Sequence, residues 1–252
     1  MAVSDWLTPD GVGLALLIFA IATLYSSVGQ AGASGYIAAM GLFGVAPQVM
    51  KPSALVLNVL VAGVATFRFC RAGLFSWRVF LPLAIGSVPL AYLGGRATLP
   101  DAIYRQVVGA FLLFVAYRVI VVPKREEPSS SARTIRTPLL VLFGAAVGLL
   151  AGLTGIGGGI LLTPIFLLMG RRNARESAGI SAAFILVNSL AAISGCLARP
   201  MEIPGNLGWW VVAAVAGGLI GSELAIKHLA EATLRRLLAL ILVLTGVKLI
   251  AK

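Results

Sequence analysis

Leu150 to Gly170 reads LAGLTGIGGGILLTPIFLLMG, an apolar run that breaks at Gly155-Ile156-Gly157-Gly158-Gly159, resumes, and meets Pro164. Glycine has no Cβ, tolerates positive φ, and weakens a helix by about 1 kcal/mol per residue relative to alanine. Three in a row, with a fourth two residues earlier, predict an opened backbone between two helical pieces. The piece after the break, Ile160 to Met169, makes only about 15 Å of helix, whereas a bilayer core takes about 20 residues to cross. The stretch therefore reads as a broken helix at membrane depth. Irregular backbone there is tolerated only where protein or a watery cavity satisfies its polar groups. Freed amide N–H groups at the start of a half-helix form a positive dipole end suited to an anion.

Composition places the whole chain in the same setting. Its 252 residues are 59% hydrophobic and 12% charged, with a mean hydropathy of +0.99, as in an integral membrane protein of many helices. The net charge of +11 would suit nucleic acid in isolation. The basic residues, however, sit between apolar runs, where a membrane protein places its cytoplasmic charge, so no nucleic-acid partner is expected. Cys70 and Cys196 form neither a metal-type pair nor a disulfide framework, and His228 is the single histidine. No metal or cofactor is expected, and the spans offer no cluster of His, Asp and Cys for an enzyme.

About ten apolar segments follow one another: Gly11–Val28, Ala33–Ala46, Pro52–Phe67, Val79–Gly95 and Tyr104–Val122, then Leu139–Thr154, Gly159–Gly170, Ala174–Leu197, Leu207–Ile226 and Leu234–Ile250. Between the sets lies PKREEPSSSARTIRTP, polar, charged and bounded by Pro123 and Pro138. The domain reading is a first membrane repeat over 1–122, a linker over 123–138 and a second repeat over 139–252. The two sets resemble each other. Gly29-Gln30-Ala31-Gly32-Ala33 stands where Gly155–Gly159 stands, Asn58 in LVLNVLVAG matches Asn188 in ILVNSLAAI, and LPDAIYR (99–105) matches LAEATLR (229–235). Matched glycine interruptions in two halves point to the binding site of a transporter. If every segment crosses and the N-terminus is outside, the inside loops collect Arg68, Arg71, Arg78, Lys124, Arg125, Arg171, Arg172 and Arg175 among others. The positive-inside rule favours that arrangement. Five segments per copy make the copies inverted, with both termini outside and the linker cytoplasmic.

GIGGG followed by a short apolar run and Pro164, a second half repeating the first, and a polar mid-chain linker resemble the sulfite exporter TauE/SafE family. The resemblance covers essentially the whole chain. It implies an all-α permease of the cell inner membrane moving sulfur-containing anions such as sulfite, organosulfonates or sulfoacetate. In the first copy GQAGASG replaces the clean glycine run, and Gln30 and Ser34 add hydrogen-bonding side chains, which leaves the particular anion open.

The expected function is a secondary transporter, an exporter, working by alternating access as one copy rocks on the other. A channel-like pore and a non-transporting scaffold subunit are the rival readings. Substrate contacts are expected from Gly29, Gln30, Gly32, Ser34, Asn58, Gly155, Gly157, Gly158, Gly159, Thr163 and Asn188. Each has a plainer reading beside it: the asparagines as interhelical glue, the Thr163 hydroxyl bonded to its own helix. Gly86, Gly94, Gly95, Gly217, Gly218 and Gly221 read as close-packing positions. Glu223, an acidic residue inside a span, is either a carrier of coupled protons or, the favoured reading, the i+4 partner of Lys227. Partners are thus a small anion, with or without protons, and the lipid bilayer. Oligomeric state is not legible.

Overall fold

The computed structural model describes residues 9–27, 29–121, 136–162, 166, 174–198, 203–227 and 232–251. Glycine and proline set most of the helix limits within them. The α-helices are α1 (Pro9–Ser26), α2 (Ala33–Leu42), α3 (Pro47–Arg71), α4 (Trp77–Arg96), α5 (Asp101–Val121), α6 (Thr137–Thr154), α7 (Ala174–Cys196), α8 (Leu207–Lys227) and α9 (Ala232–Ile250). A 3-10 turn, Gly159–Leu162, lies between α6 and α7. Pro47 begins α3, its fixed φ suiting the first turn, so that helix starts five residues before the expected Pro52. Among the described residues five helices are long and apolar enough to cross a membrane: Pro47–Arg71, Trp77–Arg96, Thr137–Thr154, Glu176–Cys196 and Leu207–Leu224.

Of the ten expected segments, the described residues hold nine α-helices, five in the first half and four in the second. Of the expected apolar segment Gly159–Gly170 they hold the 3-10 turn and the helical Phe166, and the remainder lies outside them. Gly157 and Gly158 hold φ of 75° and 74°, which breaks the right-handed path immediately before the turn, and Leu161 N–H bonds to Gly158 O. Thr163, Pro164, Arg171 and Arg172 lie outside the described residues, as do the side chain of Arg175 and 122–135 of the linker.

Helix directions follow from which residues meet. A Cβ at Gly144, Gly148 or Gly152 would collide with the backbone of Leu83, Ser87 or Ala91 in turn, so α4 and α6 run parallel, backbone against backbone. Gly217 and Gly221 likewise meet Phe19 and Thr23, making α1 and α8 parallel. The packing reading of Gly86, Gly94, Gly95, Gly217 and Gly221 is met by close backbone neighbours at each, and Gly218 abuts Val61. By contrast α3 and α7 are antiparallel: Asn58 reaches Ser189, Gly63 faces Leu186, and Phe69 faces Gly179. In α5 and α9, Gly109 meets Ile250 while Gly246 meets Leu113, again antiparallel. The first helix of each half thus packs on the fourth of the other, and the third and fifth pack on their counterparts.

Apolar side chains lie on both sides of these helices. Ile18, Tyr36, Ile37, Met40, Leu57 and Val61 fill one interior cluster, and Leu83, Leu162, Ile180 and Phe184 another. Leu16, Phe67, Ile85 and Leu142 point outward at 65%, 65%, 65% and 68% exposure. Helices apolar all round suit a lipid surround.

Candidate functional site

Each glycine break closes the helix before it. Gly29 adopts φ 77°, its N–H bonding to Ser26 O at 3.1 Å while Gln30 N–H reaches Tyr25 O at 2.9 Å. This is the glycine-ended closure that satisfies the last carbonyls of a helix. Gly155 does the same for α6 with φ 80°, its N–H on Ala151 O at 2.9 Å, and Ile156 N–H takes Thr154 Oγ1 at 3.3 Å. The amides of Gly29, Gln30 and Gly155 are therefore committed to helix ends.

The uncommitted amides come next in the chain. Gly32, at φ 102°, precedes α2 without a side-chain cap. The N–H groups of Ala33, Ser34 and Gly35 have no acceptor among the described residues, and neither have those of Gly157, Gly158 and Gly159. All six residues are buried. Buried N–H groups in native proteins are nearly always paired with protein, water or a ligand. Two short rows of donors thus point into the interior, each following a left-handed glycine.

Side chains finish the two rows differently. In the first, Ser34 Oγ lies 2.7 Å from the Tyr25 hydroxyl, and the Tyr36 hydroxyl donates to Ala31 O at 2.6 Å; Gln30 is half-buried. The second row sits at the α3–α7 crossing, where a Cβ on Gly157 would lie 2.7 Å from Asn58 Nδ2 and 2.9 Å from Ile185 Cγ2. Asn58 Nδ2 donates to Ser189 Oγ at 3.4 Å, and Asn188 Nδ2 donates to Phe184 O at 2.7 Å. Both asparagines are fully buried, and neither Oδ1 has a hydrogen-bond partner among the described residues. Asn58 and Gly157 therefore come together. Asn188 stands one position before the shared Ser189, while Gly158 packs on Val147, Ala151 and Phe184 and Gly159 on Ile185.

Ser189 and Lys51 are missing from the sequence-based set. For Ser189 the available signal was its place directly after Asn188. Lys51 reads as a loop residue, but the early start of α3 puts it inside the helix. Its stem lies against Gly155, and its Nζ donates to Gly94 O, Gly95 O and Ala97 O at 3.0, 3.2 and 3.2 Å. It lines a cavity of about 270 Å³ with Gln48, Arg96, Asp101, Tyr104 and Cys196. At the other end of α3, Arg68 Nη1 donates to Leu219 O at 2.7 Å, Ser222 Oγ at 3.2 Å and Glu223 Oε2 at 3.1 Å. Glu223 thus pairs with Arg68 across two helices; the side chain of Lys227, its expected partner, lies outside the described residues. Among the described residues no group of three His, Cys, Asp or Glu side chains could hold a metal ion.

Comparison with known proteins bears on the same stretch of chain. The family model for sulfite exporter TauE/SafE matches residues 14–249. The probable membrane transporter protein y4hK of Sinorhizobium fredii is 40% identical over 247 residues, covering 96% of this chain and 98% of its own length. The probable membrane transporter protein YjnA of Bacillus subtilis is 25% identical over 256 residues, covering 95% of this chain and 99% of its own. No solved structure matches the chain significantly.

Proposed function

The chain belongs to the sulfite exporter TauE/SafE family, and from that premise we propose that it exports a small sulfur-containing anion, sulfite or an organosulfonate such as sulfoacetate, by alternating access. Its class, a multi-pass membrane transporter, rests on that family and on its relatives. One observation carries the finer reading. Two rows of buried, uncommitted amides, Ala33–Gly35 and 157–159, follow left-handed glycines and offer donors to an anion without a basic side chain. Among the described residues no buried side chain is basic or acidic. An anion held by neutral donors is released more readily than one held by a salt bridge, as turnover requires.

The halves are proposed to be inverted copies. Antiparallel crossing of α3 with α7 and of α5 with α9 supports this, because elements related by a two-fold axis in the membrane plane meet head to tail. The same directions gather Arg68, Arg71, Arg78, Arg136, Arg175, Arg235 and Arg236 at one end and leave Lys51, Arg96, Arg105 and Lys248 at the other, which supports a cytoplasmic linker with both termini outside. Glu223 is read as the partner of Arg68 rather than as a carrier of protons; their 3.1 Å contact supports that choice.

Purified protein in liposomes, loaded with labelled sulfite, sulfate or taurine-like anions, tests the function. Saturable sulfite flux that is accelerated by unlabelled sulfite on the far side is the expected result. Flux that fails to saturate makes the protein a pore. An intact protein that passes none of these anions removes the transport reading.

A further inference from the structure

We propose that Asn58, Ser189 and Asn188 bind a monovalent alkali cation, sodium in the first instance, next to the anion. The inference rests on the same centre as the proposed function and adds a second ligand to it. Asn188 fixes the argument, because its Nδ2 must be the group facing Phe184 O at 2.7 Å. That leaves the acceptor, Oδ1, fully buried and without a partner among the described residues. On α3, Asn58 repeats the pattern: its Nδ2 is on Ser189 Oγ, and its Oδ1 also has no partner among the described residues. Ser189 itself is wholly buried.

Buried acceptors without a donor are costly, and an anion aggravates rather than relieves them. An electropositive group relieves them. The ligand set is of neutral oxygens, which suits a singly charged ion; calcium and magnesium sites draw on carboxylates, and the described residues hold no acidic cluster. The charge balance points the same way. Moving an unaccompanied ion into a low-dielectric interior costs several kcal/mol even after relaxation, and no buried side chain described here is basic. A cation at the asparagine oxygens, close to the Gly157 amide row, leaves the loaded centre neutral. Transport of the anion then depends on the cation.

Sodium alone is the first probe. The purified parent protein is melted in sodium chloride and in choline chloride at equal ionic strength, with no sulfur anion present. A saturable rise in melting temperature with sodium is expected, and identical melting in the two salts overturns the proposal. Ser189→Ala should weaken sodium binding about tenfold. Asn58→Asp keeps a hydrogen bond, since the serine hydroxyl can turn and donate, and should tighten it about tenfold. If both variants bind sodium as the parent does, the ion sits elsewhere and the assignment fails. Sulfite flux is then measured in sodium, potassium and choline across a pH series. Flux that follows sodium supports the proposal, whereas flux indifferent to sodium that rises with acidity makes the donor a proton on the substrate and overturns it. The melting arm uses no sulfur anion, so a protein that binds sodium but neither binds nor moves sulfite keeps the cation site and loses the proposed substrate.

Discussion

The two glycine breaks share a construction and differ in what surrounds it. Each ends a helix with a left-handed glycine and then presents amides that no described group accepts. The first is enclosed by aromatic hydroxyls: Tyr25 engages Ser34, and Tyr36 engages Ala31 O. It continues into a regular α-helix. The second carries an extra left-handed glycine, continues as a 3-10 turn, and touches Asn58. The first break is thus tied by hydroxyls of its own half and packed at Gly29 against Ala178 of α7, while the second meets side chains from α3 and α7.

Substitutions can break or sharpen that contrast. The largest effect is expected for Gly157→Ala. Its φ of 75° disfavours any Cβ, and the methyl would lie 2.7 Å from Asn58 Nδ2 and 2.9 Å from Ile185 Cγ2. Sulfite flux per inserted protein should fall roughly a hundredfold, about the worth of a charged hydrogen bond at the upper end. Gly32→Ala, where the nearest atoms are the Tyr36 ring and hydroxyl at 3.0 Å, should cost about tenfold. Equal losses at both positions would abolish the distinction between the turns.

Next come the asparagines. Asn58→Ala and Asn188→Ala each remove a proposed cation ligand, so in sodium they should weaken sulfite binding about tenfold, the lower worth of one contact to a charged group, measured by titration on protein whose melting has been checked. A loss confined to Asn188→Ala would move the contact away from Gly157. Ser34→Ala removes one hydrogen bond to Tyr25, about 1 kcal/mol, so it should lower the melting temperature while changing flux less than about threefold. A large flux defect there would make the first break a contact point too. Glu223→Gln should do least. The Arg68 and Glu223 side chains are 29% and 46% exposed, and such pairs are worth about 0–1 kcal/mol. Flux and its pH dependence should match the parent; a flattened pH profile would restore Glu223 as a proton carrier.

What could be read from the chain beforehand was local. Glycine runs, the matched asparagines and long apolar segments act through properties of a residue and its near neighbours, and the structure has left-handed glycines in both breaks and buries both asparagines. Hidden features depend on distance along the chain. Arg68 meets Glu223 across 155 positions, and nothing near either residue announces the other. Lys51 was hidden by a choice between two prolines: with Pro47 rather than Pro52 in the first turn, a loop lysine becomes a helix residue. Ser189 needed the α3–α7 crossing before its hydroxyl had a partner. The fate of the Gly29 and Gly155 amides likewise depended on how the preceding helices close, which glycine content alone leaves open.

The glycine seams have a mechanical consequence. Along α4 and α6, and along α1 and α8, backbones touch with no side chain between them, and each seam joins one half of the chain to the other. A hinge laid between the halves would have to tear both joints. The stiff bodies are therefore mixed, one built on α4 with α6 and the other on α1 with α8. The compliant surface lies between them, where α3 and α7 cross through side chains. Rigid-body motion is therefore expected to divide the fold between these mixed bodies rather than between the two halves of the chain, and the Gly157 turn sits at that boundary.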